Sequence, residues 1–205
     1  MRELSLNVMD IAQNSISAGA KLIEIDVCEE PRADRLTIRV SDDGAGMTAE
    51  QAARVTDPFF TTRATRKIGM GVPLFKMEAE MTGGSFGVVS QKGAGTTITA
   101  VFVPSHVDMI PLGDINSTVL LLIACNDDRD FVFHHKMDSR EFTLDTRELR
   151  AVLGNEVRLN SPEVIQWIKN CLSEETQFIK EESTDEVFSG TSGDQGQSPQ
   201  SGYSS

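Results

Sequence analysis

The sequence predicts an α+β fold: a mixed or antiparallel sheet with helices on one face, followed by a smaller α/β module and a disordered tail. Three observations carry this. Apolar residues recur at helical and then at strand spacing, in the order helix, two strands, short helix, loop, helix, two strands, which is not the alternation of a doubly wound parallel sheet. The 205 residues, 39% of them hydrophobic, allow one large domain or two small ones with a packed core, mostly aliphatic because aromatic residues make up 6%. Charge divides the chain: residues 1–104 carry 11 basic and 13 acidic side chains, whereas residues 105–205 carry 8 and 18. That asymmetry predicts two modules, 1–104 and 117–182, with a linker over 105–116, since the stretch from Pro104 to Asn116 holds two prolines and a glycine that interrupt any periodic pattern.

Each element has its own signal. Leu4, Val8, Ile11, Ala12 and Ile16 fall on one helical face and Gly19 supplies the stop, which predicts a helix from about Glu3 to Ala18. Ile23, Ile25 and Val27 alternate with acids, and Leu36, Ile38 and Val40 alternate with Thr37 and Arg39, giving a hairpin around Pro31. Thr48 and Gln51 fit a capping box that opens a short helix toward Val55. Pro73 suits the first turn of a helix running through Leu74, Met77 and Met81 to Gly83 and Gly84. Two strands follow, 85–91 and 95–103, around the turn QKGAG. In the second module the apolar run at 117–125 predicts a strand, 131–145 a hairpin around Asp138 and Ser139, and 146–153 and 161–175 two helices. Residues 183–205 are poor in aliphatic side chains and predict a disordered tail.

The net charge of −12 argues against an extended nucleic-acid surface, which needs a basic face to displace counterions. No run approaches the roughly 20 apolar residues of a spanning helix, and MRELSLNVMD lacks the pattern of a secretory signal. Cys28, Cys125 and Cys171 are odd in number and far apart, so they read as free or buried thiols of a reducing, cytoplasmic compartment.

Four short motifs carry chemistry. Asp10 and Asn14 are four apart on the first helix and present two oxygen donors on one face, suited to a hard cation such as Mg²⁺ or to orienting a water; a solvated helix face presents the same pattern. Asp42 ends a strand and is followed by Gly44, Gly46 and Met47, a turn whose backbone admits a planar ligand, or a plain Asp-Gly turn. Asp57-Pro-Phe59-Phe60-Thr-Thr-Arg63, with Arg66 and Lys67, puts two rings beside hydroxyls and cations: the anchor of a phosphate-facing loop, or two core phenylalanines under a basic loop. Gly69-Met-Gly71 enters a helix whose first N–H groups suit a phosphate, although GxG alone is weak and no GxxxxGK[ST] is present.

Taken together, in this order and at these spacings, the motifs over residues 3–104 resemble the superfamily of gyrase, heat-shock-chaperone, histidine-kinase and MutL ATPases, whose ATP-binding fold is the Bergerat α/β sandwich. DPFFTTR, GMGVPLF and GAGTTITAVFVP are most similar to the catalytic ATP-binding domain of histidine kinases. The resemblance implies ATP and Mg²⁺ as ligands. It implies that Asn14 ligates the Mg²⁺, that Asp10 stands where the family activates water or the acceptor, and that Asp42 accepts a hydrogen bond from the adenine amino group. It further implies that Gly44, Gly46, Met47 and Thr96 shape the adenine pocket, that Phe59 and Phe60 anchor the ATP lid, that Arg63 or Lys67 reaches phosphate oxygens, and that Gly69 and Gly71 wrap the triphosphate. Two departures stand out. Asp10 is one methylene shorter than the Glu often found there, which implies weak hydrolysis, and Pro73 replaces a small residue before Leu74.

A histidine kinase also carries a dimerising helical hairpin with the acceptor His upstream of its ATP domain. Here the first motif begins within about ten residues of the first residue, so the expectation is a kinase acting in trans on a separate protein. A gyrase-like or MutL-like conformational ATPase that dimerises with nucleotide and an ATP sensor without chemistry are the alternatives. His106, and His134 and His135 as exposed strand residues, are expected to have no chemical role. The acidic second module is expected to meet the partner.

Overall fold

The computed structural model describes residues 3–56, 71–154 and 157–189, with side chains as far as residue 181. Its centre is one six-stranded sheet. β1 (Leu22–Glu30) and β2 (Arg35–Asp42) form the expected hairpin, and β3 (Ser85–Gln91) and β4 (Gly95–Phe102) form a second. β4 pairs antiparallel with β2, placing Ile98 opposite Val40 and Ala100 opposite Ile38. β5 (Asp130–Met137) runs parallel to β1 and is antiparallel to β6 (Arg140–Asp145), so the strand order is β3-β4-β2-β1-β5-β6. Because side chains alternate between faces, Ile23, Ile25, Val27, Ile38, Val40, Ile98, Phe131 and Phe133 are buried together on one side. The other side carries Asp26, Arg39, His134 and Lys136; Arg39 faces Asp26 across the strands at 2.9 Å, an exposed pair of small energetic value.

Helices cover the apolar face. α1 (Leu4–Ser17) buries Leu4, Val8, Ile11 and Ala12, and its chain leaves through Gly19 at φ +80°. α2 (Ala49–Arg54) opens with the expected capping box, in which the Thr48 hydroxyl accepts from Gln51 N–H and the Gln51 side chain accepts from Thr48 N–H. α3 (Gly71–Met81) packs on α1, β3 and β4, with Phe75 against Phe102 at 5.4 Å between ring centres. α4 (Ile115–Cys125) lies between α1 and α6 (Pro162–Ser189), while α5 (Thr146–Leu153) packs on β5.

The second half departs from expectation in four places. Residues 117–125 are helix, not strand. α4 buries a single stripe, Ile115, Thr118, Val119, Leu122 and Ile123, but the run is also apolar on its open side at Leu121, which is 52% exposed, and a continuous apolar run has no period from which to tell helix from strand; the deciding cue is Asp114, whose carboxylate accepts from Ser117 N–H at 2.9 Å and from its hydroxyl at 2.6 Å. Residues 105–116 do not run as a free linker, since Pro111 O and Leu112 O accept the Leu4 and Ser5 N–H groups at 3.0 and 2.9 Å, satisfying donors that the first turn of α1 cannot satisfy itself. The sheet and core continue across the charge boundary, and Phe131 and Phe133 belong to the same buried cluster as Ile23 and Ile25. Finally, α6 runs to Ser189, past the expected start of the tail, and residues 190–205 lie outside the described residues.

His134 is half-buried on the open face, but His135 is not the exposed residue expected. It is 1% exposed, because alternation along β5 turns it inward with Phe131 and Phe133, and its Nε2 lies 2.8 Å from Glu29 Oε1. The three cysteines are free.

The Asp114 cap gives a test. The Ser117 hydroxyl, and next its N–H, hold the Asp114 carboxyl below the usual carboxylate range. A carboxyl depressed in the folded state stabilises above its unfolded pKa and loses that contribution as pH falls through its folded value. Asp114→Ala should therefore cost about 1 kcal/mol at neutral pH. In urea denaturation the deficit should shrink as pH is lowered below about 4.

Candidate functional site

Asp42, the last residue of β2, sits where the C-terminal half of α1 passes over the sheet. The Ser15 hydroxyl donates to its Oδ2 at 2.6 Å and Gly44 N–H donates to its Oδ1 at 2.9 Å. Two donors orient the carboxylate and leave each oxygen further acceptor capacity. The turn that follows is fixed just as firmly. Asp43 accepts from Lys21 and Leu22 N–H at 2.6 and 2.9 Å, Ala45 N–H donates to Ala18 O at 3.0 Å, and Gly93 N–H donates to Ala45 O at 2.7 Å.

The far wall comes from the β3–β4 hairpin. Met47 N–H donates to the Ser90 hydroxyl at 2.8 Å, which donates in turn to Gly95 O at 3.0 Å and lies 2.9 Å from the Thr96 hydroxyl. Thr96 is the direct cross-strand partner of Asp42. Gly46 has φ +60°, and a Cβ there would stand 1.9 Å from Gln91 O, so only glycine lets the turn reach the hairpin. Gly44 is confined less tightly, since a Cβ would stand 2.9 Å from Asp42 Oδ1, a side-chain atom.

On α1, Asp10 is exposed and Asn14 half-buried one turn later. The first residue of α3, Gly71, approaches so closely that a Cβ on it would stand 2.6 Å from Asp10 Cβ. The structure thus brings Asp10, Asn14, Asp42, Gly44, Gly46, Met47, Gly71 and Thr96 around one region framed by α1, the β2 turn, the β3–β4 hairpin and the start of α3. Phe59, Phe60, Arg63, Lys67 and Gly69 lie outside the described residues. A separate groove runs along the outer side of α3, lined by Pro73, Leu74, Met77 and Met81, and does not include Asp42.

Two residues of this region were not singled out from the sequence, and each left a faint signal. Ser15 continues the buried stripe of α1 after Leu4, Val8, Ile11 and Ala12, a hydroxyl where periodicity asks for an apolar side chain. Ser90 does the same on β3 after Phe86 and Val88. A polar residue on an apolar face implies a buried partner, but neither position reveals which.

Residues 1–106 match the family model described as histidine kinase-, DNA gyrase B-, and HSP90-like ATPase. The chain belongs to this family. Its ATPase domain is of the histidine-kinase type and is an ATP-binding domain. Among curated relatives, it is 34% identical over 79 residues to the heme sensor protein HssS of Staphylococcus saprophyticus, covering 38% of this chain and 17% of that protein. It is 32% identical over 92 residues to the sensor histidine kinase ZraS of Escherichia coli, covering 45% and 20%. The matches thus span about a fifth of those relatives. The fold resembles the crystal structure of the N-terminal domain of a DNA repair protein, with a TM-score of 0.50, 14% identity, and coverage of 76% of this chain and 58% of that one. Among the described residues no helix is long and apolar enough to cross a membrane.

The geometry at Gly46 predicts that Gly46→Ala destabilises the fold by about 1 to 3 kcal/mol through backbone strain. Chemical denaturation should show that loss, and calorimetry should show weaker ATP binding as the turn withdraws from Ser90.

Proposed function

We propose that the protein binds Mg-ATP in the region around Asp42 and is a regulatory kinase that passes the phosphoryl group to a histidine or serine of a separate protein. The observation that carries this is the pre-oriented Asp42 carboxylate, held by Ser15 and Gly44, beside a helix presenting Asp10 and Asn14, in a domain whose curated relatives include sensor kinases.

In this reading Asp42 accepts from the adenine amino group. Gly44, Gly46, Met47 and Thr96 enclose the base, while Asn14 and the N–H groups of the first turn of α3 at Gly71 meet the phosphates. Gly69, Arg63, Lys67, Phe59 and Phe60 belong to the same proposal on sequence grounds. Asp10 orients the attacking hydroxyl, imidazole or water. Asn14 would hold Mg²⁺, and the donor set fits: among the described residues no cluster of three or more His, Cys, Asp or Glu side chains forms a metal cage, and Mg²⁺ characteristically takes one or two protein oxygens with phosphates and waters completing its shell. When bound, the ion neutralises charge on the transferring phosphoryl group.

None of the chain's three histidines offers a helical acceptor next to the site. His134 and His135 are on β5, and His106 lies in the turn after β4, where it accepts from Asp108 N–H. The reading takes the acceptor to be on a separate protein, and we place the protein in the cytoplasm, with the acidic half of the chain as the surface that meets its partner.

One observation favours a second reading. The likeness to the DNA repair protein's N-terminal domain covers 76% of this chain, more than the residues 1–106 that the family model matches, so it extends beyond them. This favours a conformational ATPase whose subunits dimerise around nucleotide; an ATP sensor without turnover is the limiting case. Labelled ATP with candidate acceptors, together with size exclusion in the presence of a non-hydrolysable analogue, separates the three. The kinase reading expects label on a partner protein, lost with Asn14→Ala. ATP affinity should fall at least tenfold in Asp42→Asn, because the amide turns an acceptor into a donor toward adenine; equal affinity in calorimetry would sink the site itself.

A further inference from the structure

α1 and α3 pack against one another, and two places in their interface bear on the site. At the near end Gly71 abuts Asp10. At the far end the Asn7 side-chain amide donates to Glu78 Oε2, with both residues inside the interface at 9% and 8% exposure. Asn7, Asp10 and Asn14 fall at i, i+3 and i+7, a single stripe of α1, and Gly71 and Glu78 are seven apart on α3, also a single stripe. The two stripes face one another. The stripe that presents Asp10 and Asn14 is therefore the one that Glu78 grips.

Packing alone does not call for this pair. A carboxyl withdrawn from water costs free energy that two apolar side chains of similar size would not, and replacing such buried polar pairs by apolar residues is often neutral or stabilising. What the pair supplies is direction. Apolar surfaces slide with little change in energy, whereas a hydrogen bond is satisfied only over a narrow range of distance and angle. One bond at the Asn7 end therefore sets the rotation and axial register of α3, and with them the position of the N–H groups of its first turn relative to Asp10 and Asn14.

We infer that Asn7 and Glu78 are positioning residues for the triphosphate: they hold α3 against α1 so that its first turn and the Asp10–Asn14 face address the same phosphates, while taking no part in binding adenine. The inference rests on the nucleotide site proposed above. It makes a selective claim, because the adenine contacts at Asp42, Gly44 and Thr96 are held by Ser15, Ala18, Lys21 and Ser90 and do not involve α3.

The test measures both ends of the nucleotide on the full chain: Mg-ATP by calorimetry and adenosine by ligand-observed NMR. In Asn7→Leu/Glu78→Leu two apolar side chains of similar size replace the facing amide and carboxyl, so the fold should persist, as circular dichroism and the melting temperature would show. Mg-ATP should bind roughly tenfold more weakly as the fraction with α3 in register falls to about a tenth, while adenosine stays within about twofold. An unchanged ratio of the two affinities would overturn the inference. Asn7→Asp gives an independent readout, since two facing carboxylates repel until one takes a proton. Relative to wild type, its ATP-to-adenosine ratio should be low at pH 8 and recover toward pH 5; a ratio equal to wild type across that range would also overturn it. A wild-type chain that binds neither ligand removes the nucleotide site itself, and that outcome is distinct because it appears before any substitution.

Discussion

Most of the structure depends on the four residues between α1 and β1. Ala18 O accepts the Ala45 N–H, and Lys21 and Leu22 donate to Asp43, so this short loop holds the turn that carries Gly44 and Gly46. Its other side is engaged by the second half of the chain: the Arg129 guanidinium donates to Ala20 O, and Asp130 N–H donates to Lys21 O at 2.8 Å. Arg150 secures that second contact by pairing with Asp130 at 2.9 Å and donating to Asp127 O and Arg129 O. The loop is therefore a junction at which the Asp42 turn, helix α1 and the β5 edge share one set of backbone groups. These partners share one set of hydrogen bonds, so none of them can shift without breaking a contact that another relies on.

How much of this was legible in the sequence varies with the kind of interaction. Elements whose signal is local were readable: the stripe of α1, the alternation of β1, β2, β3 and β4, and the Thr48–Gln51 box. The Asp42 turn was also visible, because two glycines one residue apart mark a place where backbone must pass close to something. What the turn passes close to, Gln91 and the Ser90 hydroxyl, depends on how two hairpins pair and has no local signature. The same limit explains α4, whose continuous apolar run does not tell the buried Leu122 from the exposed Leu121, and His135, whose inward direction is set by the phase of β5.

The charge boundary near residue 105 was real but marked something other than a break between folded units. The acidic side chains of the second half include Asp114, Asp145 and Asp130, which cap helices or pair with Arg147 and Arg150, and others on exposed faces of α5 and α6. Surface composition changes along the chain while the core beneath it does not, because burial acts on the inward residues of β1 and β5 alike. Net charge along residues 1–104 is thus independent of the total: residues 105–205, with 8 basic and 18 acidic side chains, account for −10 of the −12.

The hydrogen bonds from Leu4 and Ser5 to Pro111 and Leu112, and the parallel pairing of β1 with β5, also set an order of events during synthesis. Both connect residues about a hundred positions apart, and contacts of such high sequence separation form late because the intervening chain must be closed before they are rewarded. As the chain emerges from the ribosome, α1 and the β1–β2 hairpin are available early, yet the first turn of α1 and the outer edge of β1 have no partners until residues 111–137 have been made. In that interval β1 is an open strand edge with an apolar face, the kind of surface that invites chaperones or a neighbouring nascent chain. The added half of the protein therefore closes the edge that the ATP-binding half exposes while it is being born.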